Sequence, residues 1–316
     1  MISLTQDQIE PLIDWAAATD AIRQAYVDAS AGRVSLPPVG HITFPDVGGD
    51  CHIKYGHVLG QPSFVIKVAT GFPKNADHDM PNGNGLVLVM SAQTGVLQAI
   101  LHDQMLLTDV RTGLGGGVAA QALARPDAQR LLVVGSSVQA QWQIKAHVQA
   151  MPGLDQITLW GRNPNHAKTA VKAMREKATI QIADDLETAT RTADIIVTAT
   201  GATAPLIQSD WIQPGTHVTA VGADAPGKQE LDPALVARAT VVTVDSMSQC
   251  LNHGEVSHAV SAGFLDPSRI VELGTLLSDP SLGRQTDQDI TVTDLTGIAA
   301  QDIAIANCVL QSYSPK

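Results

Sequence analysis

The chain has 316 residues, 44% of them hydrophobic, with a formal net charge of -11 and three cysteines. That length and apolar content support two buried cores. The acidity, unbroken by any Lys/Arg run, excludes a nucleic-acid or anionic-membrane surface. Cys51, Cys250 and Cys308 are too scattered for a disulfide framework or a metal cluster, so no metal is expected.

The opening residues 1–7 carry neither a basic region nor an apolar run, and no apolar stretch is long enough to span a bilayer. A cytoplasmic chain without a signal peptide is the expectation. Residues 14–31 have helical periodicity, with Ile22, Ala25, Tyr26 and Ala29 on one side and Gly32 as a stop. Five strand-like runs follow, at 40–44, 51–58, 64–70, 86–91 and 96–102. Their links are too short for crossover helices, which predicts a mostly antiparallel sheet.

After Thr108 the pattern changes. A helix is predicted over 111–124, closed by Arg125-Pro126. Strands at 131–134, 157–160, 195–198, 217–221, 241–245 and 290–294 follow, with helices at 138–151 and 165–177. Apolar strands alternating with helices predict a parallel, doubly wound Rossmann-type sheet. A last helix over 297–313 is expected to pack back on the N-terminal sheet. The predicted fold is therefore α/β, with one domain at 114–296. A second, α+β domain is built from 1–113 and 297–316.

The cofactor signal is the turn Gly135-Ser136-Ser137-Val138-Gln139 between a strand and a helix. Such a turn lets the backbone approach a pyrophosphate and points helix N-terminal amides at its charge. Only Gly135 is a glycine; an ordinary βα turn is the alternative. The next strand ends at Gly161-Arg162-Asn163, where an arginine can hold the 2′-phosphate of NADP or stack on adenine. With no second cation evident beside Arg162, NAD(H) is preferred over NADP(H). Thr198-Ala199-Thr200 and Val221-Gly222 end further strands and would border the same cofactor, with Arg111 and Thr112 nearby.

Three charged residues stand in positions that need a reason. Lys67 interrupts the apolar run Phe64-Val65-Ile66-Lys67-Val68, so it must reach solvent at an edge or meet an anion. Arg111 lies near a predicted helix start, where its planar fork suits a carboxylate of substrate or protein. Asp224 follows a strand, where it can act as a general acid/base or as a turn cap. Alternation puts His52 and Lys54 on one strand face, as candidates for a second substrate carboxylate. His57 joins them only through a bulge near Gly56.

Together Lys67, the T-x-x-R-T segment at 108–112, the G-S-S-x-Q-A turn and G-A-D-x-P-G-x-x-E-L at 222–231 resemble the ornithine cyclodeaminase/mu-crystallin family. Asp294-Leu295-Thr296-Gly297-Ile298 also fits. The resemblance implies an N-terminal dimerising domain, a Rossmann domain and a homodimer. It implies Lys67 and Arg111 on the substrate carboxylate and Asp224 as proton donor and acceptor. Many members have an arginine after a proline in the first strand region; here Val39 follows Leu36-Pro37-Pro38, which speaks against an ornithine-type site. Ser137 replaces a usual second glycine. The segments around His52 and Lys67 look like the imino-acid reductase branch. The implied function is NAD(P)H-dependent reduction of a small imino acid to an L-amino acid, iminosuccinate to L-aspartate first, reversible as a dehydrogenase. The alternatives are a cyclodeaminase that recycles NAD, or a non-catalytic nucleotide-binding protein.

Overall fold

The computed structural model describes residues 1–78, 80–174 and 179–314. The chain divides into two compact units: Met1–Arg111 with Ile298–Lys316, and Thr112–Gly297.

Unit 1 begins with strand β1 (Ile2–Thr5), the short helix α1 (Gln6–Ile9) and helix α2 (Trp15–Ser30). Asp14 caps α2 by accepting from the amides of Ala16 and Ala17, at 2.9 and 3.1 Å. Strands β2 (Val34–Ser35), β3 (Gly40–Phe44), β4 (Gly49–Val58), β5 (Ser63–Gly71), β6 (Gly83–Ser91) and β7 (Leu97–His102) follow. The sheet order is β1-β7-β6-β5-β4-β2, with β3 also paired to β4. It is antiparallel, as the short links predicted, except that β1 runs parallel to β7 at the edge.

Alternation sorts the residues of β5. Val65, Lys67 and Ala69 are buried, while Phe64, Ile66 and Val68 face the half-covered side with Leu86, Leu88 and Met90 of β6. Lys67 pairs directly with Lys54. The β4–β5 register runs unbroken from Asp50 to Gly56. His57 therefore stays on the face opposite His52 and Lys54.

Helix α3 (Leu106–Leu123) starts five residues before the predicted position, so Arg111 lies in its second turn. The missed start signal is Asp103, whose Oδ2 accepts from the Leu107 amide at 3.0 Å. A run of glycines, at 113 and 115–117, lies farther along the helix. They are there for close packing: a Cβ at Gly113 would lie 2.7 Å from the Trp142 carbonyl oxygen, and one at Gly117 would lie 3.1 Å from that of Ala146.

Unit 2 contains β8 (Arg130–Val134), α4 (Val138–Ala150), β9 (Gln156–Trp160), α5 (Pro164–Met174), β10 (Ile180–Ile182), α6 (Leu186–Thr192) and β11 (Ile195–Thr198). The predicted continuation of α5 to Lys177 lies outside the described residues. Next come β12 (Thr203–Ile207), β13 (His217–Ala220), β14 (Gln229–Leu231), α7 (Pro233–Arg238), β15 (Val241–Val244), α8 (Met247–Cys250) and α9 (Glu255–Ser261). The unit closes with β16 (Ile270–Glu272), α10 (Leu273–Ser278) and β17 (Thr291–Asp294). Eight strands form one parallel sheet in the order β10-β9-β8-β11-β13-β17-β15-β16; β12 and β14 pair separately. The central strands β11, β13, β15 and β17 are buried along their whole length; the polar side chains His217, Thr219, Thr243, Thr291 and Thr293 are hydrogen-bonded to one another there. The order reverses at β8: the chain builds β9 and β10 on one side, then β11 and β13 on the other.

The chain then returns to unit 1 as α11 (Ala299–Ser312), which packs on α2, β4 and β5. Its buried face, Ala299, Ala300, Ile303, Ala306 and Val309, also carries Gln301 and Asp302.

Candidate functional site

A cavity of about 790 Å³ opens where the strand order of unit 2 reverses. Crevices at the carboxyl ends of such sheets are where doubly wound proteins hold their ligands. Gly135, Ser136, Ser137 and Gln139 line it after β8, Gly161, Arg162 and Asn163 after β9, Ala199 and Thr200 after β11, and Val221, Gly222 and Asp224 after β13. Gly135 has φ of +134°, and a Cβ there would sit 2.5 Å from the Ala199 carbonyl oxygen. Only glycine gives the tight passage from β8 into α4. Ser137 stands at the N-cap of α4 without a side-chain cap bond, leaving first-turn amides beside the cavity. Tight turn, open helix end and cavity size together fit a dinucleotide.

Several expected residues lie elsewhere. Val138 is 56% exposed and is not among the cavity-lining residues. Thr112, the first residue of unit 2, accepts from Gln143 Nε2 through its carbonyl at 3.0 Å. Arg111 belongs to unit 1. Thr198 is buried behind the cavity wall, where its hydroxyl donates to Glu230 Oε2 at 2.7 Å. The Glu230 carboxylate also accepts from the Thr200 amide and hydroxyl, both at 2.7 Å, and from the Gly222 amide at 2.8 Å. One buried acid thus pins the loops after β11 and β13, although burial pushes its carboxyl above the ordinary range. Asp224 stands at the rim with its side chain 50% exposed and accepts from Lys228 Nζ at 2.6 Å. His166 was missed; it lines the same wall as Arg162.

Unit 1 holds the second cluster. Lys67 and Arg111 are 3% and 6% exposed, and both face one carboxylate that the sequence reading did not find, Asp302 of α11. Lys67 Nζ donates to Asp302 Oδ1 at 2.9 Å, and Arg111 Nε lies 3.2 Å from the same oxygen. Gln301 braces the arginine: its Oε1 accepts from Arg111 Nη1 at 3.3 Å and its Nε2 donates to the Arg111 carbonyl and to the Tyr26 hydroxyl. Burial lowers the Lys67 ammonium to about 8, against the attraction of Asp302. Burial also raises Asp109, to about 7, and Asp103. The two cations therefore share one firmly ionised acid, held below its ordinary range by Lys67 and Arg111 against its own burial. Asp103 and Asp109 are close enough to attract the same two cations.

On the same face of the sheet Lys54 lies opposite Lys67. His52 instead meets acid: its Nε2 is 3.4 Å from Asp50 Oδ2. Among the described residues, no helix is long and apolar enough to cross a membrane.

The profile of the ornithine cyclodeaminase/mu-crystallin family matches residues 1–316. An uncharacterized cyclodeaminase of Sinorhizobium fredii is 37% identical over 308 residues, covering 96% of this chain and 92% of its own. The Delta(1)-pyrroline-2-carboxylate reductase of Thermococcus litoralis, solved with NADH and L-proline, superposes with a TM-score of 0.92. It is 26% identical, over 99% of this chain and 97% of that one. The iminosuccinate reductase of Paracoccus denitrificans, solved with NAD+, gives a TM-score of 0.88 at 27% identity, over 99% and 96% of the two chains.

Asp302→Asn keeps the shape but leaves two buried cations without a counter-charge. It is expected to cost about 3 kcal/mol of stability, in line with broken buried ion pairs. Urea unfolding checks this; a loss below about 0.5 kcal/mol, the range of surface substitutions, shows that Asp302 does not hold the cluster.

Proposed function

Because the chain belongs to the ornithine cyclodeaminase/mu-crystallin family, we propose that it reduces a small α-imino acid to the α-amino acid with a nicotinamide dinucleotide. The observation that carries this reading is the buried Lys67–Asp302–Arg111 cluster, in which two cations share one carboxylate oxygen and suit a second carboxylate. The turn at Gly135 and the α4 amides would hold the dinucleotide, which would serve as the hydride donor. In this reading Arg111 and Lys67 hold the α-carboxylate. Asp224 holds the iminium nitrogen by charge and exchanges its proton.

The finer reading is iminosuccinate. It is supported by Lys54, a second cation on the Lys67 face that suits a distal carboxylate. The Asp50 carboxylate beside His52 favours giving that role to Lys54 rather than to His52. A lone cation in the loop after β9, Arg162, favours NAD(H). His166 lines that wall too, and residues 161–174 contain no acid for the ribose of NAD. These features support NADP(H) alongside NAD(H).

The test is oxidation of NADH and NADPH with Δ1-pyrroline-2-carboxylate, and with pyruvate or oxaloacetate each plus ammonia. Consumption of at least one imine, with the amino acid as product, is expected. Lys67→Ala is expected to raise KM by at least tenfold, and Asp224→Asn to lower kcat by about 10²–10⁴-fold with the fold intact. Affinity should also fall as pH rises through about 8, where the Lys67 ammonium loses its proton. No imine turnover, with ammonia released from ornithine and no net NADH change, would make it a cyclodeaminase; tight binding with no turnover at all would make it a binding protein.

Arg162→Ala is expected to lower kcat/KM for NADPH about tenfold and to leave NADH within about threefold, since the loss is one charge-assisted contact. Equal losses for both would assign Arg162 to the adenine face.

We read the chain as a homodimer. The row Phe64, Ile66, Val68, Leu86, Leu88 and Met90 is apolar and only half-buried in one copy, a surface suited to a second copy. Light scattering should give twice the chain mass, and Leu88→Glu should give a monomer. A wild-type monomer would overturn the reading.

A further inference from the structure

A second group of side chains in unit 1, outside the Lys67 cluster, converges on the outer strands. His41 of β3 and His52 of β4 are directly paired across the ladder, so both side chains leave the sheet on the same face. Asp50 is two residues before His52 and shares that face. The two imidazoles stack, with centroids 4.4 Å apart and planes inclined by 21°. One ligand atom from each of His41, Asp50 and His52 lies within 4.8 Å of the other two.

The place of the carboxylate is set by its neighbour. Gly71 of β5 pairs with Asp50, and a Cβ at Gly71 would lie 2.8 Å from Asp50 Oδ1. Any larger residue there would push the carboxylate away, so the glycine leaves it beside the imidazoles. His41 is exposed and Asp50 and His52 are partly exposed, so the group is open to ions from solution.

We propose that His41, Asp50 and His52 form a binding site for a divalent transition-metal ion of the Zn2+ class, held by two imidazole nitrogens and one carboxylate oxygen. Two nitrogen donors select against Mg2+ and Ca2+, which prefer all-oxygen shells, and favour Zn2+, Co2+ and Ni2+. Zn–N bonds of about 2.0–2.1 Å with tetrahedral angles put the two nitrogens about 3.4 Å apart. Small rotations about the side-chain bonds of these exposed residues bring the donors to that spacing. Three protein ligands leave the fourth position to water. The bound ion cross-links β3 to β4 and neutralises Asp50.

The test reads metal rather than turnover. Untagged, chelator-treated full-length protein is titrated with Zn2+ by calorimetry and with Co2+ by visible absorption. One equivalent per chain is expected, with Kd on the order of micromolar and the d–d bands of tetrahedral or five-coordinate Co2+. Saturating Zn2+ should raise Tm. His41→Ala removes one exposed ligand and should weaken Zn2+ binding at least tenfold, and the isosteric Asp50→Asn should also weaken it. Either variant binding Zn2+ like the parent overturns the proposal, as does the absence of saturable binding below millimolar Zn2+. A circular dichroism spectrum unchanged in His41→Ala assigns the lost affinity to the ligand rather than to the fold.

Discussion

One carboxylate organises unit 1. Asp302 lies between an ammonium and a guanidinium in a place from which water is almost excluded. Either cation alone would be costly to bury, and both together far more so. With Asp302 present, both cations gain a partner at hydrogen-bond distance inside the fold. Gln301, the preceding residue on α11, adds geometric control by holding the arginine from both its guanidinium and its carbonyl.

Unit 2 uses a buried acid differently. Glu230 accepts from four neutral donors at the ends of β11 and β13. Hydrogen bonds of this kind fix backbone position. The wall that they support carries Arg162, Lys228 and Asp224 among its lining side chains.

Much of this was legible from the sequence where the signal was local. The turn at Gly135 stood between an apolar run and a helical one, and the parallel sheet followed from strands too apolar to have a wet face. Lys67 was conspicuous as the one charge in its strand. Its partner was not, because 235 residues separate Lys67 from Asp302 and nothing in either segment specifies the pairing. The only hint was an Asp within an otherwise apolar helical stretch. The start of α3 was missed because its signal, Asp103, stands three residues before the first helical residue. The three-residue strands β10, β14 and β16 carry too few residues for periodicity to register, and β12 is interrupted by Pro205. The His41–His52 pairing needs the β3–β4 register, which a sequence pattern cannot supply, and His166 was invisible as a neighbour of Arg162 until α5 set its direction.

The position of α11 in the chain has a consequence for synthesis. A ribosome releases β5 and α3 long before it reaches Asp302, so for most of translation Lys67 and Arg111 have no acid to bury against. Unit 2, continuous in sequence, can acquire its core as it emerges, whereas the interior of unit 1 must stay hydrated until α11 has left the exit tunnel. Helix α11 thus acts as a closing latch: a chain cut short before it keeps a wet, cationic interior and is exposed to quality control.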